Sequence, residues 1–153
     1  MKRSVIANEA FRHLLMVSAD LQAAFNRLMP ELTLSQLLVL ETVSNAGGRM
    51  GSLNDLAFQF GTTRQNIRKL VGGLEAKACL RSTPSKTDRR ALEILLTDTG
   101  RDYLVQYAPA LKAATRQIFK NLSKNGLENL RAEVAAIRQE LERGLAEVPG
   151  SLS

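Results

Sequence analysis

One short stretch of the sequence concentrates long polar and basic side chains. It comprises Thr62, Thr63, Arg64, Gln65, Asn66, Arg68 and Lys69. Arginine can form two hydrogen bonds with guanine O6 and N7, and glutamine can do the same with adenine N6 and N7. The two arginines and the glutamine are therefore candidates to read base edges, whereas the threonines, Asn66 and Lys69 suit phosphate contacts that set register. For each side chain, a solvated polar surface is the alternative interpretation.

The positive charge of the chain comes from this region. Eight basic and two acidic residues lie between Thr62 and Arg90, and the rest of the sequence holds thirteen of each, so the segment accounts for the whole formal net charge of +6. Positive charge concentrated in one segment is typical of proteins that bind polyanions, because phosphate neutralisation releases counterions. For a basic helix alone, a solvated face is about equally common, but a second basic cluster at 85–90 favours binding.

The segment has the pattern of a helix followed by a hairpin. Apolar residues recur between Thr62 and Ala78 at the spacing of one helix stripe. They are Ile67, Leu70, Val71 and Leu74. Two short runs follow at 80–84 and 91–96, and the polar turn between them is basic. This pattern predicts two strands joined at a basic hairpin tip.

Two helices precede the basic helix, and each has a recognisable start. Thr33 followed by Gln36 has the form of a capping box, and Ser52 is a candidate N-cap for the next helix. Gly61 supplies a tight turn, after which one of the two threonines would cap the basic helix. Two short helices joined by such a turn, the second basic, predict a helix-turn-helix.

These features resemble the MarR family of winged helix-turn-helix regulators. The sequence from Asp88 to Gly100 is similar to the family's wing, a D-x-R pattern followed by a hydrophobic strand and L-T-x-x-G. Residues 32–36 resemble the family's L-T-x-x-Q entry to its second helix, and 53–61 are similar to the first helix of its helix-turn-helix. The matching segments together span Leu32 to Gly100.

The resemblance assigns roles to the hairpin. It implies that Asp88 holds an arginine in place while Arg89 or Arg90 enters the minor groove, and it adds Lys86 to the DNA contacts of the wing. A narrow minor groove has an enhanced negative potential that attracts arginine. A turn in which Asp88 and Arg90 only hold the loop together is the alternative.

Two features depart from the family pattern. Gly72 and Gly73 lie inside the basic helix, where each glycine costs about 0.5–1 kcal/mol relative to alanine. The helix is therefore expected either to be loose there or to be closely approached by another backbone. Ala78 stands where the family commonly has glycine, so either an alanine in the left-handed conformation or a different helix ending is expected.

Long amphipathic helices flank the segment. One is predicted over roughly residues 8–28. A second starts at Thr97 and is expected to kink or break near Ala108, because Pro109 follows. A third starts at Ser123 and ends before Pro149. The last has a seam resembling that of a coiled coil. The seam comprises Leu127, Leu130, Val134, Ile137, Leu141 and Leu145. Such stripes are too apolar for a free surface and predict a dimer interface, which is their role in the family.

Other classes of function find little support in the sequence. No apolar run approaches the roughly 18 residues of a transmembrane helix, and no signal-peptide core follows Met1, so we expect a cytoplasmic protein without membrane contact. One cysteine, Cys79, excludes a disulfide framework and a cysteine-rich zinc site. With one histidine, His13, and no phosphate loop, we expect no enzyme, no metal and no cofactor.

The sequence thus predicts a mainly α protein with a small β-hairpin wing, a winged helix-turn-helix with N- and C-terminal dimerisation helices. We expect a single domain over 1–153, with a DNA-binding lobe at 33–100 and a dimerisation lobe formed by 5–30 and 101–147. The predicted function is that of a ligand-responsive repressor that binds double-stranded DNA as a homodimer. By resemblance its ligand would be a small aromatic molecule, and no ligand-binding residue is predicted. The alternatives are a protein-interaction module that has lost specific DNA reading and a regulator switched through the thiol of Cys79, which otherwise is a small buried hydrophobe.

Overall fold

A computed structural model describes residues 1–86 and 92–144. Within them the chain forms helices joined to one small sheet, as predicted. In chain order the elements are α1 (Arg3–Leu28), α2 (Leu34–Asn45), β1 (Arg49–Met50), α3 (Leu53–Phe60), α4 (Arg64–Ala76), β2 (Leu80–Pro84), β3 (Leu92–Leu96), α5 (Asp98–Ile118) and α6 (Lys124–Arg143). The chain divides into two compact units, Met1–Leu111 and Lys112–Ser153.

Side-chain caps define the starts of α2, α3 and α6. The hydroxyl of Thr33 accepts a hydrogen bond from the backbone of Gln36 at 3.2 Å, and the Gln36 side chain accepts one from the backbone of Thr33 at 3.1 Å, which confirms the capping box. Ser52 caps α3 by accepting from the backbone of Asp55 at 3.0 Å. Ser123 caps α6 in the same way. These caps satisfy backbone donors that a helix leaves unpaired in its first turn.

The core of the first unit is built by α2, α3, α4 and β3. Its fully buried side chains are Leu37, Val39, Leu40, Val43, Leu56, Ile67, Leu74, Cys79 and Ile94. Across the described residues no polar or charged residue is buried. The core therefore rests on apolar burial, at about 25 cal/mol for each Å² removed from water, and the polar side chains are left for the surface.

The three strands form one antiparallel sheet in the order β1-β3-β2. β2 and β3 make the predicted hairpin, with Leu80 opposite Leu96 and Pro84 opposite Leu92. Ala91, which was expected to begin the second strand, lies outside the described residues. β1 was not predicted, because two residues are too few to show an alternating pattern. It pairs Met50 with Ile94 and so extends the hairpin into a sheet.

One hydroxyl joins the end of β3 to the end of α4. Thr97 Oγ1 lies 2.6 Å from the carbonyl oxygen of Ala78 and 2.9 Å from that of Cys79, and it accepts from the backbone of Gly100 at 3.1 Å. The hydroxyl has one proton, so the two carbonyls share it. Ala78 has φ 57°, which confirms the left-handed alternative for this helix end. A Cβ on Gly100 would overlap the Cys79 carbonyl, so this position admits only glycine.

The flanking helices differ in detail from the sequence-based expectation. α1 begins at Arg3, earlier than the expected residue 8. α5 runs through Pro109 without a break, so the break expected near Ala108 is absent, and a kink there stays a prediction. α6 ends at Arg143, before Pro149 as predicted, and Leu145 of the predicted seam lies outside the described residues.

We predict that Gly100→Ala destabilises the protein by about 3 kcal/mol, because the new methyl group would displace the Cys79 carbonyl or the Leu96 side chain. Gly72→Ala is the matched control. Nothing lies within 4 Å of a Cβ at Gly72, so alanine should stabilise α4 by about 0.5–1 kcal/mol. Urea unfolding followed by circular dichroism measures both. Equal stabilities for the two variants would contradict the packing described for Gly100.

Candidate nucleic-acid interface

α4 presents one basic face to solvent and one apolar face to the core. The side chains of Ile67, Val71 and Leu74 are buried. The polar residues that the sequence singled out lie on the other side, where Arg64, Gln65, Asn66, Arg68 and Lys69 are all exposed. The structure thus brings the predicted residues of this helix together on a single accessible surface, and burial of the opposite stripe fixes which way they point.

The start of α4 is set by a turn and two threonines. Gly61 ends α3 with φ 72°, the left-handed conformation that glycine adopts without strain. Thr63 is the N-cap and accepts from the backbone of Asn66 at 3.2 Å. Thr62 instead accepts from the side-chain amide of Asn66 at 2.9 Å. A hydroxyl that accepts still has its proton to donate, so both threonines keep a donor for an anion at this end of the helix.

The two glycines inside α4 do not interrupt the helix. Gly72 is exposed and has open space where a side chain would be. Gly73 lies against α2, and the Nε2 atom of Gln36 is 2.8 Å from the position that a Cβ would take. The close approach expected from the sequence therefore occurs at one of the two glycines, and a side chain rather than a backbone makes it.

The stem of the hairpin is described, and its tip is not. Arg81 on β2 and Lys86, which follows that strand, are exposed. Both cations are therefore accessible to a binding partner. The predicted wing residues Asp88, Arg89 and Arg90 lie outside the described residues. At the base of the sheet Arg49 pairs with Glu93 at 3.2 Å, a link from β1 to β3 that the sequence did not reveal.

Two tyrosines on α5 lie near the turn between α1 and α2. Tyr107 is buried and donates to Glu31 Oε2 at 2.9 Å, and the ring of Tyr103 stacks on it with centroids 6.0 Å apart. Burial raises the pKa of Tyr107, and the hydrogen bond and charge of Glu31 raise it further. The carboxylate of Glu31 also raises the pKa of Tyr103. A raised pKa favours the neutral phenol, the form that donates hydrogen bonds. Sequence reasoning missed Glu31, because 76 residues separate it from its partner.

Cys79 is fully buried, as expected for a small hydrophobe. Burial raises the pKa of its thiol, although the nearby Lys77 ammonium acts in the opposite direction. A raised pKa lowers the fraction of thiolate, the reactive form, at neutral pH. The burial of Cys79 and its raised pKa both make the thiol less reactive in the folded protein.

The described residues contain no group of three or more His, Cys, Asp and Glu side chains placed to hold a metal ion. Over the same residues, no helix combines the length and the apolar character that crossing a membrane requires.

Comparison with known proteins supports the architecture described above. The MarR family model matches residues 31–91. AbsC, a MarR family transcriptional regulator from Streptomyces coelicolor, has a similar structure with a TM-score of 0.79 and 25% sequence identity, and the match covers 93% of this chain and 97% of that one. No curated protein matches the sequence.

Two further solved structures share the fold. MepR from S. aureus, solved as a complex with DNA, is 18% identical with a TM-score of 0.75, over 92% of this chain and 99% of its own. BpsR from Bordetella bronchiseptica, whose DNA binding is regulated by 6-hydroxynicotinic acid, is 20% identical with a TM-score of 0.67, over 87% of this chain and 98% of its own.

The matched segment runs from the start of α2 through β2, so it contains the helix pair α3 and α4 and the first strand of the hairpin. The family and the structural neighbours are transcriptional regulators, a class of proteins that are generally not enzymes. The order of helices and the small antiparallel sheet are those of the winged helix structures in this group. Over residues 31–91 and in its fold, the chain is similar to the MarR family of winged helix-turn-helix transcriptional regulators.

Proposed function

We propose that the protein is a sequence-specific DNA-binding regulator in the cytoplasm, a ligand-responsive repressor that acts as a homodimer on a pseudo-palindromic operator. The observation that carries this proposal is the exposed basic face of α4, which a buried apolar stripe holds outward. We call α4 the recognition helix from here on. An α-helix with such a face fits the major groove of B-DNA, which is about 12 Å wide.

The roles that we propose within the recognition helix are supported by its geometry. Arg64, Gln65 and Arg68 lie in its first two turns, where side chains of a helix-turn-helix reach base edges. Thr62, Thr63, Asn66 and Lys69 contact phosphates and set the register. Thr62 and Thr63 would donate their hydroxyl protons to a phosphate. The side-chain amide of Asn66 donates to Thr62, so Asn66 would contact the same phosphate beside that threonine.

The hairpin supplies the second part of the proposed interface. Lys86 and the tip residues Asp88, Arg89 and Arg90 form the wing, in which Asp88 orients an arginine and Arg89 or Arg90 enters the minor groove. An arginine in the minor groove responds to the width of the groove and does not need base-specific hydrogen bonds. The MepR complex shows that a protein of this fold binds DNA.

Exposed apolar residues support the proposed dimer. In α1, Phe11 is 62% exposed and Leu15 is 58% exposed. In α6 the described part of the seam is exposed throughout, at Leu127, Leu130, Val134, Ile137 and Leu141. Apolar area of this extent on a free surface is unusual for a monomer. A homodimer would cover it, and two-fold symmetry would place two recognition helices in major grooves about 10 base pairs apart.

The proposed ligand is a small aromatic molecule, as in BpsR, whose DNA binding responds to 6-hydroxynicotinic acid. It would act by binding one spacing of the recognition helices more tightly than another, since a ligand shifts an equilibrium only by its differential affinity. Tyr103 and Tyr107 of α5 offer aromatic rings and hydroxyl groups beside the α1–α2 turn, where Tyr107 bonds Glu31.

We predict that selection from random duplexes at near-physiological salt enriches a palindrome, and that Arg68→Ala relaxes the consensus at one position in each half-site. Loss of one bidentate contact costs about 1–3 kcal/mol of discrimination. Lys69→Ala is the matched control: it should weaken binding to all sequences equally and reduce the magnitude of the slope of log affinity against log salt by about two, about one for each subunit. If a folded protein enriches no motif, or binds with a slope near zero, the interaction-module alternative replaces this proposal.

We predict that Val134→Glu dissociates the dimer, raising its dissociation constant at least about 100-fold, because the carboxylate would be buried in the seam without a partner. Ala132→Glu is the control, because residue 132 is exposed and lies about 200° around the helix axis from Leu130 and from Val134. Sedimentation velocity measures both. A Val134→Glu protein that remains dimeric would show that α6 does not form the interface.

We predict that hydrogen peroxide leaves the DNA affinity of the wild-type protein unchanged, because Cys79 is buried and its pKa is raised. Mass spectrometry should find the thiol unmodified in the folded protein and oxidised in urea, which controls for the activity of the reagent. Rapid oxidation with loss of DNA binding, absent in Cys79→Ser, would instead support the thiol-switch alternative.

A further inference from the structure

A carboxylate near the end of the recognition helix bonds the strand that follows it. Glu75 Oε1 accepts a hydrogen bond from the backbone N–H of Ser82 at 2.8 Å. Glu75 is one of only two acids between Thr62 and Arg90. The presence of an acidic side chain with a specific hydrogen-bond partner in this mainly basic segment needs a physical explanation.

The partner is a donor that the sheet itself leaves unpaired. The backbone N–H of Leu96 donates to Gly48 at 2.9 Å, so this residue of β3 points its backbone groups toward β1. Leu80 lies opposite Leu96 and Ser82 lies two residues further along β2, so Leu80 and Ser82 direct their backbone groups to the outer edge of the sheet. Pro84, the next residue on that edge, has no N–H. Glu75 thus covers an exposed amide of an edge strand.

This bond ties the recognition helix to the hairpin through a side chain. A second tie lies at the hairpin base, where Thr97 Oγ1 contacts the carbonyls of Ala78 and Cys79. Pairing with β1 holds the β3 side of the hairpin. The Glu75 bond holds the β2 side at Ser82, two residues beyond the base, and so links the outer edge of β2 directly to the recognition helix.

We propose that Glu75 is a positioning residue that sets the angle of the hairpin to the recognition helix, so that the two can engage adjacent grooves of the same DNA. This inference rests on the proposed function. It explains why a carboxylate is present at all: a negative charge near a polyanion weakens binding electrostatically. Its removal would strengthen binding if charge were its only effect.

Two variants separate position from charge. Glu75→Gln and Glu75→Ala both remove the charge, but only glutamine keeps an oxygen that can accept from Ser82. Alanine has a higher helix propensity than glutamine, so a loss in Glu75→Ala cannot come from a weaker helix. Affinity for the selected operator is measured together with two footprints, dimethyl sulfate for guanine N7 in the major groove and hydroxyl radical for the minor groove beside each half-site.

We expect Glu75→Ala to bind about tenfold more weakly and to lose minor-groove protection, while major-groove protection persists at saturating protein. Glu75→Gln should bind at least as tightly as the wild type and keep both footprints. In the free protein, hydrogen exchange of the Ser82 amide should be about tenfold faster in Glu75→Ala than in Glu75→Gln, which a role confined to DNA contact would not produce.

The outcomes distinguish the two proposals. If the wild type selects an operator but Glu75→Ala binds it as tightly with both footprints intact, Glu75 only covers the strand edge and the inference is wrong. If both variants lose affinity equally, the carboxylate charge matters and the positioning role is also wrong. If the folded wild type selects no operator, the proposed function fails and this role fails with it. Thermal unfolding of both variants is the control that tests whether each is folded at the temperature at which binding is measured.

Discussion

The contact of Thr97 with the end of the recognition helix is the constraint on which the proposed DNA-binding surface depends. One hydroxyl holds the carbonyls of Ala78 and Cys79 and accepts from Gly100, so three segments meet at one point. Ala78 is left-handed, which costs roughly 1–2 kcal/mol for a residue with a Cβ. Such strain persists only where the surroundings determine the conformation. The junction therefore fixes where the recognition helix ends, where the hairpin starts and where α5 begins.

The local features of the fold could be predicted from the sequence, because each depends on residues a few positions apart. A cap joins residues three apart, as at Thr33 and Gln36, and a buried stripe needs only the period of one helix. The left-handed turn at Gly61 is signalled by a single residue type. For this reason the exposed face of the recognition helix, and with it most of the candidate DNA contacts, could be derived before the fold was known.

The remaining contacts could not be predicted, because they join residues whose proximity only the fold creates. Glu31 bonds Tyr107, 76 residues away in the sequence, and the Gln36 side chain of α2 packs against Gly73. β1 exists only because β3 offers an edge to pair with. Glu75 shows the limit most clearly: the sequence gives an acid among basic residues, and only the strand register reveals which backbone amide it covers. Resemblance to a family supplied the roles expected of the wing residues, which no local pattern would have suggested.

The distribution of burial also links dimerisation to folding in this proposal. α6 has 20 residues and no buried residue in the single chain. Most helix stability in proteins comes from packing of an apolar face rather than from helix propensity. The partner subunit would supply that packing, so the stability of α6 would rise with protein concentration. The positions of two recognition helices would then be determined by the same apolar seam that completes the fold, and any ligand that shifts the seam would change the spacing presented to DNA.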